Sequence, residues 1–132
     1  VDFGDWQDKT LKQLRRRKLW QTVQQAPTRM RFPNGETFAH AQQRIVECIE
    51  ILSSKHKPED LIICVSHSDI IKLAVAYYLG LPLDLFQRLV VAPASISTLH
   101  IAENWARVVN INHAVSLGFP HPPATSTRKK KH

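Results

Sequence analysis

The run Leu61-Ile62-Ile63-Cys64-Val65-Ser66-His67-Ser68-Asp69 constrains the fold of this chain more than any other segment, because it joins an apolar stretch, a polar junction and a helix start. Leu61 to Val65 is too short for a core helix and rich in β-branched residues, which predicts a strand buried on both faces. Ser68 as N-cap and Asp69 as first-turn acid open an apolar helix over Ile70 to Leu79, which Gly80 can close and Pro82 cannot extend. A buried strand feeding a helix is the repeating unit of an α/β sheet, and ligands of such sheets bind outside the carboxyl ends of the strands. The helix N-terminus adds free N–H groups and partial positive charge, so His67 stands at a candidate anion site. The plainer reading is a histidine that only hydrogen-bonds a neighbouring loop.

Hydrophobic spacing arranges the remainder in a mixed α/β order. Asp8 or Thr10 caps a helix expected to run to about Gln25, with Leu11, Leu14, Trp20 and Val23 as an incomplete apolar stripe and Arg15 to Lys18 as a solvated basic face. Pro27, Pro33 and Gly35 then mark a loop. From Glu36 onward Phe38, Ala41, Ile45, Cys48 and Leu52 step by three and four residues, which predicts a helix to about Lys55 that packs on the sheet. Lys57-Pro58-Glu59-Asp60 turns the chain into the expected strand, and Pro82 leads into a short helix over Leu83 to Leu89. Ser95 to Ala102 and Trp105 to Asn112 are rich in β-formers and joined through Glu103-Asn104, which predicts an antiparallel hairpin at the sheet's end. The folded unit is expected over residues 1–115. Residues 116–132 hold prolines and the cluster Arg128-Lys129-Lys130-Lys131, and are expected to form a disordered tail.

The formal charge of +7 invites a nucleic-acid reading, yet that tail cluster supplies four of the charges. No helix-turn-helix, RNP-type aromatic sheet or zinc-finger spacing occurs, so a nucleic-acid partner is not expected. A modestly basic fold does suit anionic small molecules. Cys48 and Cys64 both fall on apolar positions, which predicts buried free thiols in a reducing, cytoplasmic setting. The histidines show no metal-ligand spacing, no stretch is long and apolar enough to span a membrane, and no signal peptide opens the chain.

Four segments resemble motifs of the histidine phosphatase superfamily, the phosphoglycerate-mutase-like enzymes, in the order found in the C-terminal half of that family. Val1-Asp2-Phe3-Gly4-Asp5-Trp6-Gln7 is similar to its "xxFGxWxG" segment and Phe32-Pro33-Asn34-Gly35-Glu36-Thr37 to its "PxGES" helix start. Val65-Ser66-His67 is similar to the stretch bearing its second active-site histidine, and Pro93-Ala94-Ser95-Ile96 to its "NxSI" strand start. The resemblance implies a three-layer α/β/α sandwich, incomplete at its N-terminus, and a phosphomonoester hydrolase or phosphomutase of the parent protein. In such enzymes an Arg-His-Gly histidine attacks phosphorus, a glutamate shortly before the "FG" pair protonates the leaving oxygen, and arginines with the second histidine stabilise the equatorial oxygens. No Arg-His-Gly occurs here, no glutamate precedes Phe3, and Val1 is not an initiator methionine. The sequence is therefore expected to be a portion of the domain, inactive alone, that associates with a complementing N-terminal segment or with itself.

By this resemblance His67 is the catalytic histidine present, and His67 and Ser68 bind phosphate. No metal or organic cofactor is implied. Trp6, Arg29, Arg31 and Asp69 are candidate contacts to the rest of a phosphorylated small-molecule substrate. Two readings of Asp69 are open: a first-turn acid that points away, or a carboxylate that meets the leaving group and selects a neutral or basic alcohol. Trp6 either clamps a loop or packs in the core or a lid. Arg29 and Arg31 either read a second charged group or are ordinary exposed loop arginines. Phe3, Trp6 and Phe32 together favour a site with an apolar wall, which suits an aromatic or nucleoside-like ester. The rival reading is a non-catalytic fragment or binding module that associates with a complementing chain or an acidic partner.

Overall fold

The computed structural model of the chain describes residues 1–10, 13–14, 22–23, 25–33 and 35–114. Helix α1 spans Phe38–Ser54, and Thr37 caps it by accepting a hydrogen bond from the His40 N–H at 3.1 Å. Helix α2 spans Ser68–Leu79. Its end follows from Gly80, whose φ of 75° lets its own N–H reach Tyr77 O and the Leu81 N–H reach Ala76 O, a pair of bonds that satisfies carbonyls the helix leaves open. Its beginning differs from expectation. His67, not Ser68, is the N-cap residue, in extended conformation and with no side-chain cap bond, while the Ser68 hydroxyl donates to Val91 O at 3.1 Å. That bond ties the helix start to the 90s loop, and a serine engaged there cannot also cap.

The two helices run in the same direction. Gln42 Nε2 donates to Leu73 O at 2.9 Å near their beginnings, and the Tyr78 hydroxyl donates to Glu50 Oε1 at 2.7 Å near their ends. Packing two consecutive helices in parallel requires a return segment about as long as the helices, and residues 61–67 provide one without helix or turn. This is the place of the strand that the sequence predicts. The expected burial is not there: Leu61, Ile63 and Val65 are 88%, 82% and 94% exposed, and residues 61–66 make no hydrogen bond to any described residue. A strand is covered by its neighbours in a sheet, and no described strand lies beside this one. The same reason corrects the cysteines, since Cys64 within this segment and Cys48 on the outer part of α1 are both exposed.

The strands that do pair are β1, Ile96–Ile101, and β2, Ala106–His113, an antiparallel hairpin as expected, with Leu99 opposite Val108 and His100 opposite Arg107. Register shifts between Ile96 and Leu99 break the ladder, and side chains fill the gaps. Asn110 Oδ1 accepts from the Thr98 N–H, Asn112 Oδ1 from the Ala92 N–H, and Ser97 Oγ from the Asn112 N–H. Of the first expected helix, Gln13, Leu14, Thr22, Val23 and Gln25 are helical; Leu11, Trp20 and the Arg15 to Lys18 face lie outside the described residues. Thr10, rather than Asp8, does the capping: its hydroxyl accepts from the Gln13 N–H while Gln13 Oε1 accepts from the Thr10 N–H. The expected short helix appears as a 3-10 turn over Leu83–Arg88. The tail expected over residues 116–132 also lies outside the described residues.

A chain of aromatic contacts makes the core. Phe3 and Trp6 each meet Phe32 edge-on, Phe32 meets Phe38, and Phe38 meets Phe86, with ring centroids 5.0–5.4 Å apart. Each such pair adds about 0.5–1.5 kcal/mol beyond its burial. The rings link the N-terminal segment, α1 and the Leu83–Arg88 turn into one body, with Leu73 and Ala76 of α2 packed against them. In α1 the buried positions are Phe38, Ala41 and Val46, and its later turns are largely exposed.

Candidate functional site

The first turn of α2 sets the site. The N–H groups of Ser68, Asp69 and Ile70 open the helix and have no partner among the described residues, and His67 stands exposed directly before them. An imidazole beside unpaired helix N–H groups can hydrogen-bond the oxygens of a phosphoryl group from two sides.

Asp69 does not hang free at that helix end. Its Oδ1 lies 3.7 Å from Lys72 Nζ and 3.5 Å from Gln87 Nε2, and Lys72 Nζ donates to Gln87 Oε1 at 3.1 Å. The half-buried triad puts a compensating cation one turn from the carboxylate, which reduces the charge an arriving anion would feel. Lys72 signals itself in sequence only as an i+3 partner of Asp69, and Gln87 carries no local signal at all.

Asp69 and Gln87 also line a cavity of about 570 Å³ that Phe3, Trp6, Phe32 and Phe38 wall on its apolar side. Two of the sequence-nominated residues, Trp6 and Asp69, thus come together. Trp6 is buried in the aromatic core, as a core-packing indole would be, and it also lines this cavity. The two arginines are elsewhere. Arg31 bridges to Thr37 and borders a separate cavity of about 480 Å³ with Glu36 and His40. Arg29 is exposed in a 3-10 turn over Pro27–Arg29, on the side of Asp84. There, hydrogen bonds from the Thr28 hydroxyl and N–H, helped by the Arg29 charge, hold the Asp84 carboxyl below its ordinary range.

Glu36, which the sequence marks only as part of a helix start, is the hub that shapes the wall. It accepts from the Asp2 N–H at 2.7 Å and from Arg44 Nη2 at 2.8 Å, and lies 3.1 Å from His40 Nδ1. Burial alone would raise its pKa, but the Arg44, Asp2 and His40 contacts outweigh burial and hold the carboxyl below its ordinary range. The Glu36 N–H returns a bond to Asp2 O, so the segment carrying Phe3 and Trp6 is clamped to the beginning of α1. Gly35 permits this approach: a Cβ there would come within 2.6 Å of Asp2 O and 2.7 Å of Gly4 N.

Residues 1–114 match the model of the histidine phosphatase superfamily (branch 1). The chain belongs to that superfamily. Its fold is correspondingly the phosphoglycerate-mutase-like α/β fold expected from sequence. YhfR from Bacillus stearothermophilus superposes with a TM-score of 0.80 at 22% identity, over 87% of this chain and 58% of that protein. The alpha-ribazole phosphatase from Shigella flexneri superposes with a TM-score of 0.66 at 24% identity, again over 87% and 58% of the respective chains. This superfamily member therefore spans somewhat more than half the length of those structures. A search of the curated proteins gave no match.

Proposed function

We propose that the chain is the His67-bearing portion of a histidine-type phosphomonoesterase or phosphomutase, and that its substrate is a phosphorylated small molecule. The observation that carries this reading is His67 itself, at the junction of the apolar return segment and the α2 N-terminus, in a chain of the histidine phosphatase superfamily. A nucleophilic imidazole from a complementing segment attacks phosphorus in line, and an acid from the same segment protonates the departing alcohol oxygen. His67 donates a hydrogen bond to an equatorial phosphoryl oxygen, with the N–H groups near Ser68 beside it, and stabilises the charge that gathers there. Loss of such a donor costs on the order of 10²–10³ in rate.

Two measurements test the reading. Titrating inorganic phosphate into the chain should move the His67 imidazole resonances before those of His121 and His132. The chain alone should hydrolyse p-nitrophenyl phosphate no faster than buffer, gain turnover when a complementing Arg-His-Gly segment is supplied, and lose it again in His67→Ala. Equal shifts of every histidine, or turnover by the isolated chain that His67→Ala leaves intact, would reject the assignment.

A further inference from the structure

We propose that Asn112 of β2 is a positioning residue for His67: acting through residues 91–92 and Ser68, it fixes the junction before α2 on which phosphate binding depends. This rests on the reading of His67 given above and adds a residue that lies outside the four family-like segments. The return segment gives His67 little support, because residues 61–66 make no hydrogen bond to any described residue. Support comes from the other side. The Ser68 hydroxyl, one residue after His67, donates to Val91 O at 3.1 Å, and among the described residues this is the hydrogen bond from outside α2 that lies nearest the imidazole. Val91 is buried, and the next residue is held as well: the Ala92 N–H donates to Asn112 Oδ1 at 2.8 Å, while Ala92 O accepts from the Ser95 hydroxyl at 2.7 Å. The Asn112 N–H donates to Ser97 Oγ at 3.2 Å. A run of bonds thus leads from β1 through Asn112 and the 90s loop to the residue that follows His67.

Backbone strain marks the same run. Of the three non-glycine residues with positive φ among the described residues, two belong to it, Ala94 and Asn112, each at 57°. Side chains enter that region at a cost, asparagine more readily than alanine, and such conformations persist where the surroundings impose them, most often at functional sites. Asparagine takes this backbone and still offers an acceptor; glycine would take the backbone and offer none. The tether matters because the imidazole and the N–H groups of Ser68 to Ile70 can meet one phosphoryl group only while residue 68 keeps its place, and hydrogen bonds weaken steeply off their line.

The test follows the His67 imidazole resonances as inorganic phosphate is titrated into the 132-residue chain, with urea midpoints as a check of folding. Ser68→Ala removes the donor, and Asn112→Gly removes the acceptor while keeping the left-handed backbone. Each should weaken phosphate at least threefold, and the double variant should bind no more weakly than Ser68→Ala, because both groups lie on one tether. Asn112→Asp keeps an acceptor and should bind within twofold of the parent in physiological salt, which screens its added charge. A second readout needs no change at position 112: saturating phosphate should shift the Ala92 N–H resonance in the parent, and Ser68→Ala should abolish that shift. Asn112→Gly with a lowered urea midpoint and unchanged phosphate affinity would show a merely structural role and overturn the proposal. A loss confined to Ser68→Ala, which would make its hydroxyl a direct phosphate contact, overturns it too, as do losses that multiply in the double variant or an Ala92 signal indifferent to phosphate. In each of those cases His67 still responds to phosphate and the phosphatase reading stands. If phosphate leaves His67 unmoved in the parent, that reading fails and the positioning role falls with it.

Discussion

At the scale of single residues, Asp69 and Gly35 show how context alters what a residue type implies. An aspartate at a helix N-terminus near an anion site should repel its ligand, and an exposed helix-end charge is worth about 0.3–1 kcal/mol. Lys72, 3.7 Å away, offsets part of that, so Asp69→Asn should tighten inorganic phosphate binding only about twofold to threefold, toward the lower part of the range, by titration at neutral pH. A tightening of tenfold or more would mean that Lys72 does not screen the carboxylate. Gly35 is required by a close approach. Gly35→Ala should destabilise the chain by about 1–3 kcal/mol, read as a lowered midpoint in urea, because a methyl group would meet the Asp2 carbonyl, which accepts from the Glu36 N–H, and the Gly4 N–H, which donates to Asp2 Oδ1, and neither can recede without breaking its bond.

At the scale of elements, two polar ties hold the N-terminal segment to α1 and α1 to α2, and each has a pH signature. Glu36 has its pKa held below the ordinary value of 4.5, so its stabilisation is fully present above that pH and is lost as pH falls through the depressed folded value. Glu36→Gln should cost about 1.5–3 kcal/mol at pH 7 by removing charge-assisted hydrogen bonds, and the difference from the parent should shrink in acid. A difference independent of pH would mean that Glu36 acts by packing alone. Tyr78 is shifted the other way. Burial, then the hydrogen bond and charge of Glu50, push its phenol well above the ordinary value of 10.0, so its stabilisation is present below that pH and is lost as pH rises toward the raised value. Tyr78→Phe should remove the steep loss of stability on the alkaline side of pH 10 and leave acid behaviour unchanged, as followed by circular dichroism.

At the scale of the whole molecule, the dominant feature is an apolar return segment with no described strand beside it. Leu61, Ile63 and Val65 present a row of side chains to solvent, and residues 61–66 hold backbone groups with no partner among the described residues, the combination that recruits another strand. The chain is therefore expected to associate in solution, with itself or with a complementing segment, or to unfold at low denaturant. Sedimentation equilibrium should reveal concentration-dependent assemblies, and Ile63→Lys should shift them toward monomer without loss of helix content, since that side chain contacts little inside the chain. A compact monomer with cooperative unfolding, unaffected by Ile63→Lys, would contradict this expectation.

The sequence by itself determined the elements whose signals are local. Thr37 and Gly80 stop or start a backbone hydrogen-bond pattern within four residues of themselves, and the hairpin of β1 and β2 closes across a turn of a few residues. The four family-like segments were also legible, because each is a contiguous run. Tertiary structure decided everything that depends on residues far apart in the chain. Whether Leu61 to Val65 is buried depends on which strands lie beside it, and its composition is silent on that. Trp6 and Asp69 meet at one cavity because the aromatic core draws Phe3, Phe32 and Phe38 together, while Arg29 and Arg31 turn toward other partners. Gln87 reaches Asp69 across 18 positions. No period or motif encodes such a contact; it follows from how a 3-10 turn packs against the start of a helix.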